Sequence, residues 1–222
     1  VYGLAASVLP VWLLLAPRDY LSTFMKVGTI SLLAVGILIA HPVMSAPAVS
    51  QFATRANGPV FAGALFPFLF ITIACGALSG FHSLISSGTT PKLLEKEGQT
   101  RLIGYGGMLT ESFVAIMALI TAAILNQHLY FVINSPAAAT GSSAATAATY
   151  ANGLGLSGAP ITPAQITAAA TDVGEHSVVS RTGGAPTLAL GMSEVLHQVF
   201  GGASMKAFWY HFAIMFEALF IL

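Results

Sequence analysis

Apolar runs of about twenty residues recur along this sequence, and only 7% of its 222 residues are charged. Soluble domains carry about a quarter charged residues, so a water-exposed surface cannot be covered with so few. A helix of about twenty apolar residues crosses the roughly 30 Å hydrocarbon core of a bilayer. With 55% hydrophobic residues and a mean hydropathy of +0.80, the chain is predicted to be an all-α integral membrane protein.

The apolar runs predict about five to six transmembrane or re-entrant helices. The first run carries Pro10 and barely matches the bilayer thickness, so it is interpreted as the last part of a span. Lys26 lies inside the second run, where its long side chain is expected to reach the interface. The candidate segments are residues 1–17, 20–40, 61–78, 103–125, 183–202 and 206–222.

Three regions follow from this division. Residues 1–127 are predicted to hold transmembrane helices with a glycine- and serine-rich break near 79–90, and residues 128–182 an extramembrane loop region. Within that loop region, Thr162-Pro163 predicts the start of a short surface helix, because proline suits the first turn. Residues 183–222 are predicted to hold a transmembrane or re-entrant segment packed against protein, followed by a final transmembrane helix.

Basic residues near the span ends predict the orientation. By the positive-inside rule, the larger group is expected on the cytoplasmic side. That group is Arg18, Lys92, Lys96 and Arg101, whereas Arg55 and Arg181 fall on the other side.

Charge and motifs exclude several classes of function. Eight basic and eight acidic residues balance, so no basic patch suits nucleic acid. The single cysteine, Cys75, excludes an intramolecular disulfide. Ser79 and His82 lie close in sequence, but neither Gly-x-Ser-x-Gly nor His-Glu-x-x-His is present. An enzyme is therefore not expected, and no catalytic residue, cofactor or metal is assigned.

The break near 79–90 is the candidate substrate site. Hydroxyl groups and one imidazole lie beside flexible glycines, which is typical of a discontinuous helix that binds a substrate or an ion. Alternatively, Gly76-xxx-Gly80 makes a close helix contact and the hydroxyls bond their own helix carbonyls. The candidate substrate-binding residues are Ser79, Gly80, His82, Ser83, Ser86, Ser87 and Thr89.

Three ionisable residues are candidates for proton coupling. Glu111 lies within an apolar run, where an acid must be neutral, paired or facing water, so it either carries a proton or is a structural hydrogen-bonded acid. Glu194 and His197 have the i, i+3 spacing that places both on one helix face. They are interpreted as a proton relay, a metal pair or a buried polar pair, although a di-iron site needs a second Glu-x-x-His.

Several long strings identify a family. They are PVWLLLAPRDYLSTFMKVGTI at 10–30, FPFLFITIACGALSGFHSLISSGTTPKLLEKE at 66–97, IGYGGMLTESFVAIMALI at 103–120, SRTGGAPTLALGM at 180–192 and AFWYHFAIMFEALFIL at 207–222. The chain resembles the carbon starvation protein A family of bacterial inner-membrane solute carriers. Members are longer, so the resemblance implies a central fragment, which also agrees with ends that fall inside apolar runs.

The resemblance implies uptake of peptides or pyruvate by a multi-pass inner-membrane secondary transporter, with protons as the coupling ion. It also implies inverted repeats with discontinuous helices, as in carriers of the amino acid–polyamine–organocation type. The partners are then the small-molecule substrate, protons, the lipid bilayer and the missing transmembrane segments. The alternative is a membrane-embedded sensor or structural fragment without transport activity of its own.

Overall fold

The computed structural model describes residues 8–10, 13, 15–55, 57–60, 87–88 and 90–221. Within these residues the ordered elements are helical and no strand occurs. The α-helices are α1 (Leu15–Ala40), α2 (Thr90–Leu93), α3 (Gln99–Ile124), α4 (Gln127–Asn134), α5 (Ala137–Thr140), α6 (Ala144–Gly153), α7 (Pro163–Asp172), α8 (Gly184–Val199) and α9 (Lys206–Ile221).

Helices α1 and α3 have the length and composition of membrane spans. Each has 26 residues, which is about 39 Å at 1.5 Å per residue and exceeds the hydrocarbon thickness. Their apolar stretches are Tyr20–Ala40 and Gln99–Ile124, with mean hydropathies of 1.9 and 1.8, and only 17% of an 18-residue window in each is buried. The predicted span at 61–78 lies outside the described residues.

The carboxyl ends of α1 and α3 lie on the same side of the molecule. After α1, the backbone amides of Ser45 and Ala46 donate to the carbonyl oxygen of Ala123 at 2.8 and 3.0 Å. The Ser45 hydroxyl donates to the carbonyl oxygen of Ile124 at 3.1 Å. These bonds satisfy carbonyl groups that the last turn of a helix leaves without partners.

Helices α4 to α7 form a small-helix domain, defined here as residues 127–172. The predicted start at Thr162-Pro163 is confirmed: the Thr162 side chain and Gln165 form a capping box, and Pro163 is the first helical residue. Asn152 ties α6 to α7 through two hydrogen bonds with the Ile161 backbone, at 2.8 and 2.9 Å. The region predicted as a loop is therefore largely helical within the described residues.

Helix α8 is the centre of the packing. It contacts α1, α3, α4 and α9, and its central residues from Ala189 to Ser193 are buried. Leu196 and Val195 lie against Gly36 of α1, where an added Cβ would come within 3.2 Å of both side chains. With 16 residues, α8 is about 24 Å long, which is less than the roughly 30 Å thickness of the hydrocarbon core.

Candidate functional site

The structure places the predicted substrate-binding residues only in part. Ser87 is exposed and lies with Gly88 in a π-helical turn just before α2. An added Cβ on Gly88 would meet no atom within 4 Å. Ser79, Gly80, His82, Ser83, Ser86 and Thr89 lie outside the described residues, so this part of the site stays a prediction.

Glu111 lies midway along α3 and is exposed. About 18 Å of helix separate it from the helix start, so it falls near the middle of the apolar stretch. The hydroxyls on either side of it, Thr110 and Ser112, donate to the carbonyls of Gly106 and Met108 at 2.8 and 2.9 Å. Within the described part of the chain, Glu111 forms no ion pair.

Glu194 and His197 lie side by side on α8, as their spacing predicts. Glu194 Oε1 is 3.6 Å from His197 Nε2, and the two side chains are 35% and 15% exposed. His197 Nδ1 is buried and has no hydrogen-bond partner in the part of the chain that the structure describes. The structure does not bring Glu111 to this pair, because Glu111 lies about 15 Å along α3 from Thr121, where α3 meets α8.

Lys206, at the start of α9, completes a charged cluster around this pair. Its Nζ lies 2.7 Å from Glu194 Oε2 and 3.7 Å from Asp172 Oδ2 at the end of α7. The Lys206 side chain is only 16% exposed. We call Asp172, Glu194, His197 and Lys206 the Lys206 cluster.

A tight turn between α8 and α9 brings Lys206 back to Glu194. Gly201 and Gly202 have φ angles of +103° and +69°, which glycine adopts without strain. The Trp209 indole donates to the Phe200 carbonyl oxygen at 2.9 Å and fixes α9 against the end of α8. Sequence spacing predicted the Glu194 and His197 pair but did not identify Lys206. The adjacent Gly201 and Gly202 could have indicated a turn that brings the next helix, which begins at Lys206, back to Glu194.

The cluster brings an acid, a base and a cation together at neighbouring helix ends. A carboxylate and an imidazole share one face, and an ammonium group offsets the cost of burying the carboxylate. Among the described residues, no group of three His, Cys, Asp or Glu side chains could hold a metal ion. The Lys206 cluster thus joins a carboxylate, an imidazole and an ammonium group, and the Glu194 and Asp172 carboxylates are partly exposed.

A second polar contact holds α8 to the small-helix domain. Asn134 Nδ2 at the end of α4 donates to Thr187 Oγ1 at 2.8 Å, and both side chains are buried. The same amide also donates to the Tyr130 carbonyl oxygen at 3.0 Å. Helix α8 is therefore linked to the small-helix domain near both of its ends. Thr187 makes a direct contact at one end, and at the other end Lys206 of α9 bridges Glu194 and Asp172.

Among the described residues, two helices are long and apolar enough to cross a membrane, and a partly buried charged cluster lies at the ends of three others. The chain belongs to the carbon starvation protein CstA family, whose family model matches residues 1–222. The predicted family is therefore confirmed. No solved structure was found to match the chain.

Relatives named as transporters match the whole chain. It is 76% identical over 221 residues to the peptide transporter CstA of Mycobacterium tuberculosis (strain ATCC 25618 / H37Rv) and covers 29% of that protein. It is 61% identical over 223 residues to the peptide transporter CstA of Escherichia coli (strain K12), of which it covers 32%. It is 52% identical over 243 residues to the pyruvate/proton symporter BtsT of Escherichia coli (strain K12), of which it covers 33%. The chain thus spans about a third or less of these relatives.

Proposed function

We propose that the protein containing this chain is a secondary active transporter of the bacterial inner membrane that takes up peptides or pyruvate with protons. Transport is supported by the relatives named as a peptide transporter and a pyruvate/proton symporter, since their similarity extends over the whole of this chain. The observation that carries proton coupling is the Glu194 and His197 pair, partly buried in a chain that is otherwise poor in charge. Ionisable residues at such positions are costly, which favours a functional reason for keeping them.

Peptides are the first substrate class to test. The relatives named as peptide transporters are up to 76% identical to this chain, against 52% for the pyruvate/proton symporter. Pyruvate stays the second candidate because identity over a third of a carrier does not fix its substrate. Both substrates carry a carboxylate, which a half-helix amino end in a discontinuous helix can bind.

The substrate-binding residues remain those of the glycine- and serine-rich break, from Ser79 to Thr89. The break lies between α1 and α3 in sequence, as a discontinuous helix of an inverted-repeat carrier does. We place Glu111 on the proton path as the second candidate acid, because it lies near the middle of α3. Substrate and proton sites are thus proposed on different helices.

The orientation rule assigns the Lys206 cluster to the outer side. Arg101 begins α3 on the predicted cytoplasmic side, and α3 ends beside the segment that leads to Arg55. The small-helix domain follows α3 directly and contacts Lys206 through Asp172. A proton entering from outside would therefore meet this cluster first, as inward symport requires.

Uptake by cells that express the full-length parent tests the proposal. Labelled dipeptide and labelled pyruvate are supplied separately, with and without a protonophore. Uptake of just one solute that the protonophore abolishes names the substrate and supports symport. Glu194→Gln is expected to lower accumulation at least tenfold, whereas Glu175→Gln, whose carboxylate pairs with Arg181 instead, serves as the matched control. Uptake of neither solute would contradict the proposal and favour a membrane-embedded sensor.

A further inference from the structure

Lys206 is shared between two carboxylates that belong to different parts of the fold. Glu194 lies on α8, whereas Asp172 is the last residue of the small-helix domain. Lys206 Nζ is 2.7 Å from the first and 3.7 Å from the second. The Asp172 side chain is 55% exposed, whereas the Lys206 side chain is only 16% exposed. The largely buried Lys206 therefore pairs with one carboxylate that faces water.

We propose that Lys206 is a positioning residue that holds Glu194 ionised beside His197 and moves to Asp172 when Glu194 takes up a proton. The inference rests on the proposed function and deepens it. In this step a proton from outside water binds one oxygen of the Glu194 carboxylate and gives a neutral acid. Lys206 keeps its charge throughout, so its attraction to Glu194 falls while its attraction to Asp172 is unchanged.

The position of Lys206 lets this exchange reach two structural units. It is the first residue of α9, which packs along α8, and its second partner ends α7. Next to Asp172, the turn at Gly174 (φ +76°) also lies against α9, where an added Cβ would come within 3.3 Å of His211 Nε2. A shift of the ammonium from α8 toward α7 would therefore act at the joint between α9 and the small-helix domain.

Other ionisable groups near the Lys206 cluster are already paired or lie farther away. Glu175 accepts a hydrogen bond from Arg181 at 2.9 Å, so this pair is a neutral neighbour. On the spans that pack against α8, Lys26 and Glu111 each lie ten residues, about 15 Å, from Gly36 and Thr121, the contact points. The remaining titratable groups on the helices that pack against α8 or α9 are Arg18, Asp19, Tyr20, Arg101, Tyr105, His128, Tyr130, Tyr210, His211 and Glu217.

Initial uptake rates of the full-length protein against external pH test the inference. Lys206→Gln removes the cation that lies 2.7 Å from the Glu194 carboxylate, so half-maximal uptake should move to higher pH. Lys206→Arg keeps the charge and should restore the wild-type profile. Asp172→Asn removes the competing partner and should move the profile the other way. Arg181→Gln is the matched control for loss of a nearby cation and should leave it unchanged.

A second readout does not depend on transport. Infrared difference spectra of the purified full-length protein identify the protonated Glu194 carboxyl as the band lost in Glu194→Gln. Its pH midpoint should rise in Lys206→Gln and fall in Asp172→Asn. If neither midpoint moves, the inference is wrong, even where uptake is proton-coupled. If both move while wild-type uptake ignores a protonophore, the positioning role stands and the proposed symport fails.

Discussion

Gly191 of α8 lies directly against the backbone of Thr121 in α3. A Cβ built on Gly191 would overlap the Thr121 carbonyl oxygen and come within 2.8 Å of the Thr121 Cβ. Both residues are buried, so neither helix can yield without disturbing the core. This contact sets how closely α8 approaches the span that carries Glu111.

Gly191→Ala should therefore destabilise the protein by about 1–3 kcal/mol, the usual cost of overpacking a filled core. The measurement is the unfolding midpoint of the purified full-length protein in detergent. Gly153→Ala is the matched control, because Gly153 ends α6 and an added Cβ would meet nothing within 4 Å. Equal midpoints for the two variants would show that α8 and α3 are farther apart than the structure has them.

The buried hydrogen bond between Asn134 and Thr187 gives a second prediction. Thr187→Val keeps the shape of the side chain but removes the oxygen that accepts from Asn134. One amide hydrogen then stays bonded to Tyr130 and the other is left unpaired, which costs about 1–3 kcal/mol. The unfolding midpoint should fall accordingly. Thr167→Val, at an exposed threonine that bonds only to its own helix, should change stability by less than about 0.5 kcal/mol.

The long helices were predictable because their signal is local. Residues 20–40 are helical as predicted. Helix α3 begins at Gln99, four residues before the predicted span, because the prediction followed hydropathy and the first turn of α3 is polar. The helix at Thr162-Pro163 was also predicted at its start, since capping chemistry depends on neighbouring residues. It ends at Asp172, because Gly174 adopts a φ of +76° and turns the chain.

Helices α4 to α6 were missed because small residues form their buried faces. In α6 the buried residues are Ala147, Ala148 and Ala151, and alanine gives little contrast with the serines and threonines around it. The hydrophobic period that identifies amphipathic helices is therefore weak. The same limit applies to the site: the i, i+3 spacing predicted the Glu194 and His197 pair, whereas Lys206 and Asp172 join it only through tertiary packing.

His128 gives a prediction on pH. His128 is buried, with only 3% of its surface exposed to solvent, and this burial lowers its pKa from the ordinary value of 6.5. Since the unfolded chain binds a proton at a higher pH than the folded one, stability should fall as pH drops below about 6.5 and level off below the lowered pKa. The unfolding midpoint between pH 8 and 5 checks this. His128→Asn should flatten the fall, while the exposed His176→Asn should not; parallel curves for wild type and His128→Asn would contradict the assignment.

Glu111 gives the last prediction, because an exposed acid lies near the middle of a helix that is long and apolar enough to cross a membrane. A charged side chain there costs roughly 2.5–3.5 kcal/mol, so in the whole protein Glu111 must be neutral, paired or facing water. If it carries the coupling proton, Glu111→Gln should abolish proton-driven accumulation yet spare exchange of labelled for unlabelled substrate. Glu97→Gln, in the polar segment before α3, is the control and should leave both activities intact. Gln keeps the size of the Glu111 side chain but cannot carry the proton. Unchanged pH dependence of accumulation in Glu111→Gln would therefore make Glu111 a structural acid and leave Glu194 and His197 as the remaining candidates.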